Sequence, residues 1–453
     1  MSAVRRDQPP APGAIRPLAF PRIQRRRLDN GLAVLAARHG DLPLVTAALV
    51  VDAGAAGDPA RKAGLAQLTT DALEAGTRTR SAEQVAWELE HLGVELGSAA
   101  TWDAAVLRIT VPRERLEPAL ELFADIVRHP SFPADEVERL RDEQLANILQ
   151  RRKEPRALAN DMAAHFIFAP DVPYARPLVG TTASVEAIDR DDIEAFYRTH
   201  YLPNAASLLL VGDIDADDAR ALADHHFGEW PAGQPVTPEF EVVPGVETRT
   251  VFVVDRPGAV QSEIRIGDVG VARHHEDYFP LLVMNTILGG AFTSRLNLSL
   301  RERHGFTYGA RSGFAFRRRP GPFIVQAAVA TDVTARAVEE ALREMSALRD
   351  EGASEQEVAS ARDYLRGILP LELQTTEQLA SRLADLVIFE LPDDYFQQYR
   401  EHIAAVSPDD VHRVAREHLR LDRLAIVVVG DADRIAPDLE SLALGPVVVH
   451  SDY

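Results

Sequence analysis

The sequence predicts an α+β protein built from two homologous halves, each an antiparallel sheet with helices, and three observations carry that expectation. Residues 206–230, ASLLLVGDIDADDARALADHHFGEW, and residues 424–444, LAIVVVGDADRIAPDLESLAL, are both apolar, strand-like runs that end in Val-Gly-Asp and pass into a helical segment. The stretches upstream match in the same order: SVEAIDRDDIEAFYRTHYLP with HIAAVSPDDVHRVAREHLRL, and earlier ALELFADIVRHPSFPADEVERLRDEQLANIL with ALREMSALRDEGASEQEVASARDYLRGIL. Self-similarity at a constant offset of about 220 residues marks a duplicated unit. Between the copies lies PAGQPVTPEFEVVPG, residues 231–245, whose four prolines make it a stiff, extended connection rather than a helix or central strand.

These signals divide the 453 residues into a flexible leader (1–20), a first half (21–230), a linker (231–245) and a second half (246–453). The leader, MSAVRRDQPPAPGAIRPLAF, has no apolar core segment and does not read as a signal peptide. Next come two strand-like runs, LAVLAARHG and LVTAALVVDAG, each stopped by glycine. RSAEQVAWELEHLG is a helix in which Ser81 is the N-cap, Gln84 completes a capping box and Gly93 follows the end. GSAATWDAAVLRITVP then returns to a strand that stops at Pro112. The two halves are expected to enclose a large cavity.

Length alone implies more than one domain. With 46% hydrophobic and 26% charged residues the composition is that of an ordinary globular protein. The net charge of −20 argues against nucleic acid, which requires a concentrated basic footprint, and suits contact with basic peptides. The Arg25–Arg27 triplet is read as a solvated strand or loop. No apolar run is long enough to span a bilayer. Zero cysteines exclude disulfides, thiolate metal sites and cysteine nucleophiles. A cytoplasmic location is the default expectation, and a periplasmic one fits the missing cysteines equally well.

The stretch GLAQLTTDALEAGT, residues 64–77, reads as an amphipathic helix closed by Gly76. On it Gln67, Thr70 and Asp71 stand at i, i+3 and i+4 and so share one face. That spacing lets one helix offer two metal ligands and a general base, yet no histidine or glutamate occupies it. The doublets His225–His226 and His274–His275 are neighbours whose side chains point apart, and no His-x-x-x-His pair exists. Phosphate loops and nucleophile elbows are also absent from the sequence. Gly289 and Gly290, in ILGGAF, suit a turn or close backbone packing. LRERHGFTYGARSGF, residues 300–314, reads as a basic helix end, a glycine turn and a strand.

Together these residues resemble the pitrilysin-type zinc peptidases, the inverzincins, which include the mitochondrial processing peptidase and bacterial relatives. Gly64, Leu65, Ala66, Gly76 and Thr77 keep the family frame Gly-Leu-Ala-His-x-x-Glu-His-x-x-x-x-Gly-Thr. The resemblance places the two zinc histidines at Gln67 and Asp71, the catalytic glutamate at Thr70, and the third ligand, a glutamate, at Asn147 within LANI. All four catalytic identities are therefore replaced, and no zinc is expected in this chain. NTILGGAFTSRLNLSLRERHGFTY, residues 285–308, is similar to the second-half segment Leu-Gly-Gly-x-x-Ser-Arg-Leu…Leu-Arg-Glu-x-x-Gly-x-x-Tyr. The resemblance implies that Arg301 and Tyr308 act as the catalytic Arg/Tyr pair facing a zinc site, and that Gly289 and Gly290 lie at bound substrate. It implies a non-zinc-binding subunit of a heterodimeric zinc endopeptidase, half of a clamshell. The partner would be a homologous chain bearing His-x-x-Glu-His and zinc, and the substrate a peptide. A catalytically silent scaffold or peptide-binding homologue is the alternative. Arg301 is expected at a helix end and Tyr308 at the start of the strand beyond Gly305.

Overall fold

The computed structural model describes residues 19–451; of the leader expected over residues 1–20, residues 1–18 lie outside the described residues. Twelve strands form two six-stranded sheets. The first contains β1 (Gln24–Arg27), β2 (Ala33–Arg38), β3 (Leu44–Val51), β4 (Gly97–Ala100), β5 (Ala105–Pro112) and β6 (Ala206–Gly212), in the order β1-β2-β6-β3-β5-β4. The second contains β7 (Thr250–Asp255), β8 (Gln261–Val269), β9 (Ala310–Phe314), β10 (Pro322–Ala330), β11 (Ala425–Gly430) and β12 (Val447–His450), in the order β12-β7-β11-β8-β10-β9. The single strand expected over residues 97–112 is a hairpin, turned at Trp102–Asp103.

The duplication is visible in the register. β6 lies parallel to β2 and antiparallel to β3, and β11 lies parallel to β7 and antiparallel to β8. Gly212 of one Val-Gly-Asp stands opposite Arg38, and Gly430 of the other stands opposite Asp255, each at the last pair of its ladder. The sheets are thus mixed rather than wholly antiparallel. Each repeat returns to its sheet after a long helical excursion, the connection that a parallel neighbour requires. Only the outer edge differs. β1 is the antiparallel hairpin partner of β2, whereas the corresponding edge of the second sheet is filled by the C-terminal strand β12, parallel to β7.

Alternate residues of these strands feed two different cores, as a period of two dictates. From the first sheet, Val34, Ala36, Val45, Ala47, Leu49, Leu208 and Leu210 pack on helices of their own half. The intervening Leu35, Ala37, Ala48, Val50, Leu209 and Val211 pack on Leu379, Ala380, Leu383 and Ala384 of the second-half helix Thr376–Ile388. The second sheet does the converse: Val254, Ala425, Val427 and Val429 pack on Leu158, Ala159, Ala163 and Ile167 of the first-half helix Pro155–Ile167. The halves therefore exchange equivalent helices. Both faces of each sheet are covered, which explains why β6 and β11 are buried at every position and, Ser207 apart, carry no polar side chain.

Polar contacts reinforce that seam. Arg265, buried on β8, donates to Asn160 Oδ1 at 2.8 Å, to Glu263 at 2.9 Å and to the Arg156 carbonyl at 3.3 Å. The turn before β10 reaches into the first half. Arg317 lies 3.6 Å over the Trp102 ring, and burial pushes its guanidinium down to about 10. The Arg318 backbone N–H donates to Asp103 Oδ2 at 3.0 Å while its guanidinium pairs with Asp52. Residues 231–245 carry no strand or helix apart from an isolated Pro244–Phe168 bridge, and Phe240 sits edge-on to Tyr174. This packing joins the two halves along a continuous seam. Hollows lined by both halves measure about 180, 320 and 540 Å³.

Candidate functional site

The frame helix runs Leu65–Ala72 and is fixed at its start by two features. Gly64 adopts a left-handed conformation (φ 97°), and a Cβ there would stand 2.7 Å from the Val179 carbonyl and from Gln144 Nε2. Asp58 then accepts from the backbone N–H of Gly64 at 2.8 Å and of Ala66 at 2.9 Å, taking the place of an N-cap. Burial pushes the Asp58 carboxyl up to about 7, against the pull of those two N–H donors.

Along the helix, the polar residues of the frame are satisfied internally. Gln67 Nε2 donates to both carboxylate oxygens of Asp71, at 2.8 and 3.0 Å. Thr70 is fully buried: its hydroxyl donates to the Ala66 carbonyl at 2.7 Å and lies 3.0 Å from the Tyr201 hydroxyl. Burial holds Asp71 above its usual range, opposed by Gln67 and reinforced by the charge of Glu143. Glu74 is raised by burial and by Asp71.

Asn147 stands on the helix Ala134–Lys153 and is exposed. The residue of that helix that grips the frame is Gln144, which donates to the carbonyls of Gly64 and Val179 at 3.2 and 2.8 Å. Sequence reasoning missed Gln144, because only the phase of the helix reveals which side chain turns inward.

This donor set does not fit zinc. It offers one carboxylate, already bonded to an amide, and a threonine turned into the core, with no imidazole and no carboxylate at the general-base position. Among the described residues one other trio, His275, Asp277 and His418, has metal-like spacing. There the His275 Nδ1 lone pair accepts the Asp277 backbone N–H at 3.1 Å, and Arg413 binds Asp277 at 2.5 Å. Burial works against the Asp277 charge, but Arg413 and His418 hold the carboxyl below its usual range. This is an ion-pair network.

The second-half segment is built differently. Its helical turns widen into π-helix at Thr286–Gly290 and Asn297–Arg303, a geometry that often accompanies functional sites. Gly289 is buried, and a Cβ there would lie 2.3 Å from the Ser312 backbone nitrogen, so its glycine is required by packing against β9. Gly290 is exposed. Asn297 Oδ1 accepts the Ala310 N–H at 2.9 Å, and Ser312 donates to Asn285 at 2.7 Å, which pins both wide turns to the strand. Arg295 forms a two-pronged pair with Glu357 at 2.7 and 3.0 Å. Chiefly through Arg295, Glu357 is lowered to about 2.

Arg301 lies in the last turn of the π-helix, its guanidinium 4.5 Å over the Phe292 ring and 3.6 Å from Glu302. Gly305 turns the chain with φ 65°. Tyr308 follows in the loop two residues before β9 and is 96% exposed. The motif-derived residues therefore lie in two separate places, Gln67, Thr70 and Asp71 on one helix of the first half, and Arg301 and Tyr308 on either side of the Gly305 turn in the second. The structure gives each set its own neighbours.

Comparison with known proteins follows the same division. Residues 34–182 match the family model described as insulinase (peptidase family M16), and residues 187–365 match the model described as peptidase M16 inactive domain. An uncharacterised zinc protease of Mycobacterium tuberculosis is 29% identical over 90% of this chain and 93% of its own length. A protein of Helicobacter pylori described as a non-peptidase homologue is 22% identical over 81% of this chain and 84% of its own. Among solved structures, a peptidase M16 inactive domain from Pseudomonas fluorescens superposes with a TM-score of 0.84 at 26% identity. That match covers 90% of this chain and 98% of the other.

Proposed function

We propose, from the premise that the chain belongs to the M16 (insulinase) peptidase family, that it is the non-zinc-binding subunit of a two-chain zinc endopeptidase. The partner in this reading is a homologous chain with an intact His-x-x-Glu-His, and the substrate is a peptide held between the two. Bond cleavage belongs to the partner's zinc site. This chain's share is to bind and orient: Arg301 supplies a fixed positive charge and forked donors, and the Tyr308 hydroxyl donates to the peptide carbonyl as negative charge develops on it.

One observation carries the reading: Tyr308 stands 96% exposed, seven residues beyond Arg301 of the π-helical segment Asn297–Arg303, with its hydroxyl open to a ligand. The frame helix supports it from the other side, since Gln67 closes on Asp71 and Thr70 on Tyr201, which leaves no base. The relative described as a non-peptidase homologue favours a second reading, a peptide-binding or scaffold protein without any catalytic share.

The two readings separate in one experiment. The chain is reconstituted with a zinc-bearing homologue, assembly is confirmed by size, and cleavage of a peptide library is compared with that of each chain alone. Cleavage that requires both chains and falls with Tyr308→Phe supports the subunit reading. Assembly with no gain in cleavage, or full cleavage by the Tyr308→Phe complex, leaves the scaffold.

A further inference from the structure

The seam between the halves contains a hollow of about 320 Å³ that the peptidase reading does not use. Its walls come from the end of the helix Ala134–Lys153, the exchanged helix Pro155–Ile167, the segment 175–181 and the last residue of β12, His450. Ile148, Leu158, Met162 and Phe166 make much of the lining apolar. Against them stand Arg151, Arg152, Asp161, His165 and His450.

The charges do not cancel. Arg151 pairs with Asp161 at 2.7 Å, but its Nε is buried without an acceptor. Arg152 has no acceptor for its guanidinium among the described residues, and its backbone carbonyl is tied to Arg256. Burial and the neighbouring His450 hold His165 below its usual range. His450 Nε2 is also buried without a partner. Two guanidinium groups against one carboxylate leave a surplus of one positive charge. Buried donors left unpaired cost about 1–3 kcal/mol each, a cost that an arriving acceptor recovers.

We infer that this seam hollow binds a small organic monocarboxylate with an apolar body, its carboxylate toward Arg151 and Arg152 and its body against Met162, Leu158 and Phe166. A monoanion balances the surplus charge, planar carboxylates match guanidinium donors, and a mainly apolar pocket of this size with a few convergent polar groups is the usual form of a small-molecule site. The hollow is closed by His450 from the second half, so an occupant would also tie β12 to the first half.

Calorimetry and thermal unfolding of the full chain test this with phenylacetate, its neutral analogue phenylacetamide and inorganic phosphate. Phenylacetate should bind once per chain and raise the unfolding temperature. Phenylacetamide, lacking the charge, and phosphate, lacking the apolar body, should bind about tenfold more weakly or worse. Arg152→Gln, which removes a charge but no structural contact, should weaken phenylacetate about tenfold. Met162→Trp, which fills the hollow, should abolish binding in a chain that still unfolds cooperatively. Absence of saturable binding at millimolar phenylacetate, equal binding of the amide or phosphate, or wild-type affinity in both variants would overturn the assignment.

Discussion

The frame helix of the first half and the segment 285–308 of the second treat their polar residues in opposite ways. On the first, Gln67 has closed on Asp71 and Thr70 on Tyr201, so the groups that would meet a metal or a water meet each other. On the second, Asn285, Asn297 and Arg295 hold the wide turns against β9 and against Glu357; beyond them Tyr308 looks outward, while Arg301 is half-buried against Phe292 and Glu302. Satisfied polar groups contribute to folding, whereas a well-supported group without an internal partner is available to a ligand. Substitutions on the two sides should therefore separate stability from activity.

The largest separation is expected at Tyr308 and Arg301. In the reconstituted complex, Tyr308→Phe should lower turnover about a hundred- to a thousandfold, and Arg301→Ala at least as much, because each removes a donor aimed at developing charge. The unfolding free energy of the isolated chain should stay within about 0.5 kcal/mol for Tyr308→Phe, as befits an exposed hydroxyl. A variant that loses activity only in proportion to lost stability would erase the contrast.

Thr70→Val is the mirror-image experiment. It keeps the volume but leaves the Tyr201 hydroxyl, in the buried core, without the threonine it pairs with. Denaturant unfolding should show a loss of about 1–3 kcal/mol, while cleavage by the assembled complex stays unchanged. A drop in cleavage at preserved stability would restore a catalytic role to the frame helix.

What the sequence could and could not disclose follows from the same contacts. The repeat was legible because Val-Gly-Asp ends a strand buried on both faces in each half, and such a strand has one appearance. The exchange of helices was not legible. The helices Pro155–Ile167 and Thr376–Ile388 carry apolar faces, and nothing in a periodicity says which sheet receives them. Arg317 and Arg318 also passed unread, since a basic turn looks solvated until Trp102 and Asp52 are seen beneath it. At the candidate site, Arg301 at a helix end and the Gly305 turn were legible from glycine and spacing. The packing need behind Gly289 lay in a strand more than twenty residues away.

A smaller effect tests how the second-half segment is supported. Arg295→Gln breaks the two-pronged pair with Glu357, and, allowing for the partial exposure of that carboxylate, should cost about 1–2 kcal/mol near pH 7. Glu357 is lowered to about 2 in the folded chain. The stabilisation is therefore complete above the ordinary glutamate range and is lost as pH falls toward 2. Unfolding curves of wild type and variant should converge over that acid window. Parallel curves would show that Arg295 acts through packing alone.

The smallest effect concerns Asp71, where the zinc-family resemblance would place a ligand. Burial and the charge of Glu143 raise its pKa, with the Gln67 amide only partly offsetting them. A carboxyl raised on folding contributes stability while it is protonated and loses it as pH rises through the folded value. At neutral pH the Asp71 charge is therefore a mild liability to the fold. Asp71→Asn removes the charge and keeps an oxygen that can accept from Gln67. Relative to wild type, the variant should gain a few tenths of a kcal/mol at pH 7, and the gain should disappear below about pH 4, where both side chains are neutral. Cleavage by the assembled complex should not change. Lower stability of Asp71→Asn at pH 7, or zinc in the isolated wild-type chain that this variant releases, would mean that the charge at position 71 is doing something for the molecule after all. The frame helix would then stand closer to Arg301 and Tyr308 in kind than its closed hydrogen bonds indicate.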